Sequence, residues 1–320
     1  MHIVLAVDGS EGARWAQDMA VALPLPGARD VTIITVLNLP HPRFASLTPM
    51  TRRGYDEALA TLRGEAYGMA HEVLGRAREA LEGHGVCVAG RVHEGPVAAA
   101  IIEAVEVWRA DLIVVGARGL GPVKEFLLGS VSQKVARYAP CSVLVVKRPV
   151  ATIRRVLVAL DGSIDAEAGV GFVAGLASPM DTAVHLSAVV ELHDFLLPNT
   201  ESNREARVAA LRTIAESEGA AAERMLAEVR TVLGTKGWTV TSSVHIGDAA
   251  DQLLREIHDV DPDLVILGAK GCTATKRFVL GSVAQKVLKY APCSVLLVRP
   301  WGALSHYRPL TWHAESRSRE

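Results

Sequence analysis

Cysteine is scarce in this chain, with four among 320 residues (Cys87, Cys141, Cys272 and Cys293) and no C-x-x-C pair. Zinc knuckles and disulfide frameworks are therefore not expected, and a reducing compartment, the cytoplasm, is. An excess of charge is missing as well: 34 basic against 35 acidic residues give a net charge of −1. Neither nucleic acid nor an anionic membrane surface is an expected partner for such a balance. No apolar run approaches the roughly 20 residues that a membrane-spanning helix needs. The amino-terminal stretch meets Asp8 too soon for the apolar core of a secretory leader. Several chemical signatures are also absent. There is no G-x-x-x-x-G-K-[ST], no G-x-G-x-x-G after the first apolar run, no G-x-S-x-G and no H-E-x-x-H. Their absence argues against P-loop, standard dinucleotide-binding, serine hydrolase and zinc protease chemistry.

What the chain does contain is itself, twice. An apolar content of 49% over 320 residues suffices for two cores. Leu5-Ala-Val-Asp-Gly-Ser10 returns as Val158-Ala-Leu-Asp-Gly-Ser163, and Arg91-Val-His-Glu-Gly95 as Ser243-Val-His-Ile-Gly247. Tyr138-Ala-Pro-Cys-Ser-Val143 returns as Tyr290-Ala-Pro-Cys-Ser-Val295. A period of this length is a domain duplication, since solenoid repeats run about 20–50 residues. The expected domains are residues 1–150 and 151–303, with a tail over 304–320 that has no counterpart. The linker over 149–155 is short enough to hold the halves against each other.

Each half alternates strand and helix. Apolar runs at 3–7, 31–37, 111–115 and 142–146 read as buried parallel strands. A helix is expected from about Asp56 to Glu82, burying Leu59, Leu62, Ala66, Met69, Val73, Ala77 and Ala80. Its counterpart over about 203–234 would bury Leu211, Ile214, Ala222, Met225, Val229 and Val232. The fold class is α/β, with each half a doubly wound parallel sheet reached by right-handed crossovers. The Pro-rich segment 38–55, with Pro40, Pro42 and Pro49, differs most from its counterpart 191–203. It reads as a long loop, either a lid or a plain surface connection.

The chemistry is carried by glycine. Gly116-Ala-Arg-Gly119 is followed nine residues on by Gly129-Ser130, and Gly268-Ala-Lys-Gly271 likewise by Gly281-Ser282. In open α/β sheets ligands sit beyond the carboxyl ends of the strands, where strand order reverses. With the order 3-2-1-4-5, Asp8 after the first strand and Gly116 after the fourth flank that point; Asp161 and Gly268 do so in the second half. An ionised aspartate only accepts hydrogen bonds, so it suits a ribose hydroxyl or an adenine amino group. A glycine loop ending at a helix N-terminus offers free N–H groups and partial positive charge to phosphate. Plainer readings exist. Ser130-Val-Ser-Gln133 and Ser282-Val-Ala-Gln285 are capping-box sequences that begin helices without any ligand, and Asp8-Gly9 is an ordinary turn pair. Acid, G-x-x-G and G-S at matching offsets in both halves favour the phosphate site.

On these residues, together with the V-D-G-S and A-P-C-S-V segments, the chain resembles a tandem universal stress protein, whose ATP-binding members carry G-x2-G-x9-G-[ST]. The likeness covers residues 2–301. It implies Rossmann-like domains of the adenine nucleotide alpha hydrolase type, each with a five-stranded sheet binding ATP, often with Mg²⁺. Asp8 and Asp161 would hold the adenosine. Ala6, Val7, Val36 and Val115 would border the base in the first half, and Leu160, Val189 and Leu267 in the second. Gly116, Gly119, Gly129, Ser130, Val131 and Ser132 would face ribose and phosphates, as would Gly268, Gly271, Gly281, Ser282 and Val283. The family's pairing through the fifth strand, here 142–147 and 294–299, would make the chain an internal pseudo-dimer, with a homodimer of whole chains compatible with it. The function implied is that of an ATP-binding stress-response regulator; a slow ATP hydrolase and an interaction scaffold with vestigial sites are the alternatives.

The halves depart from each other where Ser132 is replaced by Ala284, which predicts a tighter first site through one added phosphate contact. His93 and His245 recur before helices and are candidates for the ligand edge, against a strand-end role. Arg118, Lys124, Lys270 and Lys276 lie in or beside the glycine loops and either screen phosphate or are solvated. Cys272 follows Gly271, so its oxidation would disturb the second site, while Cys141 and Cys293 read as small buried hydrophobes.

Overall fold

The computed structural model describes residues 1–25, 29–40, 49–82, 84, 86–120, 128–177, 181–192, 204–271 and 280–300. The chain divides into two compact units, with the sequence boundary between Ala151 and Thr152. In the first unit the elements are β1 (His2–Ala6), α1 (Glu11–Ala22), β2 (Arg29–Leu37), α2 (Pro49–Leu81), β3 (Val86–Glu94), α3 (Val97–Trp108), β4 (Leu112–Gly116), α4 (Ser130–Tyr138) and β5 (Ser142–Val146). Its strands are parallel in the order β3-β2-β1-β4-β5. The second unit contains β6 (Arg155–Leu160), α5 (Ile164–Gly175), β7 (Ala183–Val190), α6 (Arg204–Thr235), β8 (Thr239–Ile246), α7 (Ala249–Val260), β9 (Leu264–Gly268), α8 (Ser282–Tyr290) and β10 (Ser294–Val298). The same order recurs there as β8-β7-β6-β9-β10.

Burial explains which strands the sequence exposed to reading. β4, β5 and β10 are buried at every residue, with α1 packed on β4, α1 and α4 on β5, and α5 and α8 on β10. That is why they are unbroken Val/Leu/Ile runs. β3 and β8 close the sheet's edge and mix half-buried and exposed residues, so no apolar run marks them.

The two long helices correct the predicted stripes. α2 begins at Pro49, within the segment expected to be a loop; residues 41–48 of that segment lie outside those described. Its buried side is Ala70, Leu74, Ala77 and Leu81, whereas Leu62 and Met69 are exposed. In α6 the buried residues are Leu226, Val229 and Leu233, and Ile214 is exposed. Length is the cause. A 33-residue helix spans about 50 Å at 1.5 Å per residue. The nine-residue strands beside it span about 30 Å. The carboxyl-terminal half of α2 rests on the sheet, and the other half runs past the strand ends. The differing segment 193–203, Lys124, Cys272, Lys276 and the tail from 304 also lie outside the described residues.

Candidate functional site

Just past β1 the chain turns sharply at Asp8-Gly9-Ser10. The Ser10 N–H donates to Asp8 Oδ1 at 3.0 Å, and Gly9 takes φ +80°, a conformation that costs glycine little. Ser10 Oγ accepts from the Ala13 N–H at 3.2 Å and donates to the Arg118 carbonyl at 3.4 Å. Past β6 the same turn is built. Ser163 N–H donates to Asp161 Oδ1 at 3.0 Å and Gly162 has φ +77°. Ser163 Oγ caps α5 by accepting from the Ala166 N–H at 3.2 Å, and it donates to the Lys270 carbonyl at 3.3 Å. Each serine therefore ties the first-strand turn to the glycine loop.

Close approach accounts for the glycines of that loop. A Cβ on Gly116 would sit 2.5 Å from the backbone of Gly12, and one on Gly119 would overlap the Asp8 carboxylate. In the second unit a Cβ on Gly271 would lie 2.8 Å from Asp161 Oδ2. Acid and loop touch only because these positions lack side chains. The loop closes through Gly129 N–H to the Ala117 carbonyl at 2.8 Å, and Gly281 N–H to the Ala269 carbonyl at 2.9 Å.

At the helix start the structure corrects the capping-box reading. Gly129 and Gly281 are the N-caps of α4 and α8, so Ser130 and Ser282 are first-turn residues. The first helical bonds run from Gln133 N–H to the Gly129 carbonyl and from Gln285 N–H to the Gly281 carbonyl. Ahead of them stand the N–H groups of Ser130, Val131 and Ser132, which an α-helix leaves without intrahelical partners. Ser132 has a different task from the direct phosphate contact expected of it. It is 2% exposed, and its hydroxyl donates to the Ala117 and Gly129 carbonyls at 2.8 and 3.0 Å. It stitches the loop to the helix; Ala284 leaves the second loop without this stitch.

These parts enclose one crevice in each unit, with cavities of about 360 and 380 Å³. Both fall in the range of small-molecule sites, about 300–1,000 Å³. The first is lined by Ala6, Val7, Asp8, Val36, Val115, Gly116, Gly119, Gly129, Ser130, Val131 and Ser132. The second is lined by Leu160, Asp161, Val189, Leu267, Gly268, Gly271, Gly281, Ser282 and Val283. The structure thus gathers the residues expected to face adenosine and phosphates into one crevice in each unit. Arg118 and Lys270 join them. The reading missed Ile34, Val97 and Ile101 in the first crevice, and Ser187, Glu191, Ala249 and Leu253 in the second. Val97/Ile101 and Ala249/Leu253 are i, i+4 pairs opening α3 and α7, a signal that was available. His93 and His245 line neither crevice. His93 meets the Trp108 ring edge-on at 5.4 Å, and His245 Nε2 lies 3.1 Å from Glu256 Oε1.

Comparison with known proteins agrees with this geometry. The profile of the universal stress protein family matches residues 1–147 and again 152–299. The chain belongs to the universal stress protein family. Over 149 residues it is 35% identical to a protein described as a universal stress protein in Staphylococcus aureus strain USA300, covering 46% of this chain and 83% of that one. Among solved structures, a universal stress protein from Archaeoglobus fulgidus superposes with a TM-score of 0.60 at 21% identity, covering 93% of this chain and 98% of that one. A functionally unknown protein from Pseudomonas aeruginosa PAO1 gives 0.55 at 19% identity, covering 100% and 97%. At such identities the two structures speak for the fold alone. The two tandem universal stress protein domains rest on the family match over residues 1–147 and 152–299.

The two universal stress protein domains differ electrostatically behind the crevice. In the second, Asp165 Oδ2 accepts from the Lys270 N–H at 3.1 Å; burial pushes its carboxyl above the ordinary value, against the pull of Lys270 and Arg299. Deeper in the same domain, Glu256 collects hydrogen bonds from β7 and β8. Its Oε1 faces His185 Nε2 at 2.7 Å and the Ser243 hydroxyl, and its Oε2 takes the Ser187 hydroxyl. Burial opposes ionisation there, but the bonds from His185, Ser187, Ser243 and His245 outweigh it and hold the carboxyl down at about 2. Among the described residues no group of three or more His, Cys, Asp or Glu is arranged to hold a metal ion. No described helix is long and apolar enough to cross a membrane. Cys141 and Cys293 are fully buried, as expected of small hydrophobes.

Proposed function

We propose that each domain binds one adenine nucleotide, and that occupancy by ATP, rather than its turnover, is what this cytoplasmic stress-response regulator reports. One observation carries the proposal: in both units a carboxylate touches a glycine loop that ends at a helix N-terminus. The acid suits ribose or base and the loop suits phosphate, so the order of the parts matches the order of groups along a nucleotide. A side chain at Gly116 would strike the Gly12 backbone, and one at Gly119 or Gly271 the facing aspartate, so the loop lies beside the acid only with glycine at these positions. Charge-assisted hydrogen bonds are worth about 1.5–3 kcal/mol each. Three from the first turn of α4 would bring affinity to around micromolar after ordering costs. Mg²⁺ would be held chiefly through phosphate oxygens, as is usual where it accompanies a nucleotide.

Occupancy is favoured over turnover by the lining. Phosphoryl transfer to water needs a group that positions the water. Among the described residues no histidine lines either crevice, and the carboxylates that do, Asp8, Asp161 and Glu191, are engaged by the Ser10, Ser163 and Ala249 N–H groups. Calorimetric titration with ATP and Mg²⁺ should give two sites per chain, one lost in Asp8→Ala and the other in Asp161→Ala. Retention of both sites in the double variant would refute the proposal. Steady-state phosphate release should be negligible, and a release rate abolished by Gly129→Ala would instead establish a hydrolase.

A further inference from the structure

We propose that the free edge of β8 is an interface whose occupant is a second copy of this chain. The copy's own β8 pairs with it antiparallel, about a two-fold axis near Ser242 and Ser243. Among the described residues β8 has one neighbouring strand, β7, so its other side presents a row of backbone N–H and C=O groups. Such edges are ordinarily blunted by charge, by proline or by a covering side chain. β3, the edge strand of the first unit, is blunted in this way. It carries Arg91 and Glu94, and Arg78 Nη2 donates to its Val88 carbonyl at 3.0 Å. β8 reads Thr-Val-Thr-Ser-Ser-Val-His-Ile, with no proline and no acidic, lysine or arginine side chain. Its Thr, Val and Ile favour strand pairing.

The surface beside that edge is complementary to itself. An open cavity of about 400 Å³ lies between α6 and β8, lined by Glu223, Leu226, Ala227 and Arg230 of the helix and by Ser242, Ser243 and Val244 of the strand. Glu223 and Arg230 are exposed, and among the described residues neither forms an ion pair. They stand symmetrically about the peptide bond between Leu226 and Ala227, on the cavity that Ser242 and Ser243 also border. A two-fold axis perpendicular to the sheet at this point runs the strands antiparallel and keeps both copies of α6 on one face. It sets each Glu223 against Arg230 of the second copy, the mutual contact that a two-fold interface requires. The spacing agrees. α6 packs on β7 and β8 alike, so two such helices flanking a new strand pair lie two strand spacings apart, about 10 Å. Helices pack at about 8–10 Å. Ala227, with Ala220 and Gly234 seven residues to either side, leaves room for that approach.

Sedimentation equilibrium on the full chain tests this, together with amide hydrogen exchange. The chain should form a reversible dimer, with β8 amides protected above the dissociation constant and exchanging on dilution. Glu223→Arg and Arg230→Glu each set like charges against one another at both ends of the contact. Each should weaken the dimer by about tenfold. Both residues are exposed, so each variant should keep the parent's circular dichroism. The double variant Glu223→Arg/Arg230→Glu restores opposite pairs and should regain most of the lost affinity. A chain that stays monomeric at the highest attainable concentration overturns the proposal, and β8 amides protected in that monomer would show the edge covered by the chain itself. A dimer indifferent to both single reversals, or one whose β8 amides exchange freely, also overturns it, because the contact then lies on another face.

Discussion

The two crevices share the contact that creates them and differ in the layer behind it. In both, glycine lets a loop lie against an aspartate, and a serine ties the loop to the first-strand turn. Behind the first stand Gly12, Ile34 and Ala104; behind the second stand Asp165, Ser187 and Glu256 at the matching positions. The cradle allows little variation because backbone atoms themselves are in contact. The supporting wall has two solutions, apolar packing or a polar network, and the polar one works only because its donors and acceptors are matched.

The comparison breaks most sharply at Glu256. Its carboxyl is held down at about 2, below the ordinary carboxylate value, because the hydrogen bonds around it outweigh its burial. The folded value lies below the unfolded one, so this stabilisation is complete above about pH 4.5 and is lost as pH falls toward 2. Glu256→Gln should lower the unfolding temperature at neutral pH, and the wild-type and variant melts should converge in acid. A constant gap from pH 7 to pH 2 would contradict the assignment. Next comes Gly119→Ala, whose methyl displaces the Asp8 carboxylate, a movable side-chain tip. First-site affinity should fall by roughly tenfold or more with little change in melting temperature. Gly271→Ala, with more room before Asp161, should do less to the second site. Ser132→Ala makes the first loop resemble the second. It should cost about 1 kcal/mol of stability and weaken the first site toward the affinity of the other, measured by titration in the Asp161→Ala background. The smallest effect belongs to Asp165→Asn. Burial raises that carboxyl, so its contribution to stability is greatest in acid and declines as pH rises through the folded value. At neutral pH the amide should be slightly stabilising, with the Lys270 bond kept; a clear loss would show that the charge is needed.

Much of this was legible in sequence because it depends on glycine and on unbroken apolar runs. Gly116, Gly119 and Gly129 repeat as Gly268, Gly271 and Gly281, and their place after the fourth apolar run, with the acid after the first, put acid and loop on one edge once the order 3-2-1-4-5 was assumed. The central strands announced themselves by being buried on both faces. What escaped reading was set by geometry beyond the local pattern. β3 and β8 are edge strands with one covered face. The stripe on α2 failed because Leu62 and Met69 lie where the helix has no sheet beneath it. The Glu256 network joins residues as far apart as 185 and 256. Its trace was nevertheless present: His185 and Ser187 on one strand, and Thr241, Ser243 and His245 on the next, alternate on one face. Glu256 interrupts the buried side of α7 between Leu253 and Ile257.

The ties from Ser10 to Arg118 and from Ser163 to Lys270 have a kinetic meaning. Because the acid's turn and the start of the loop are already fastened together, a ligand meets that part of the site preformed. Association should then be limited by diffusion and entry, and the lifetime of the complex becomes the quantity that substitutions tune.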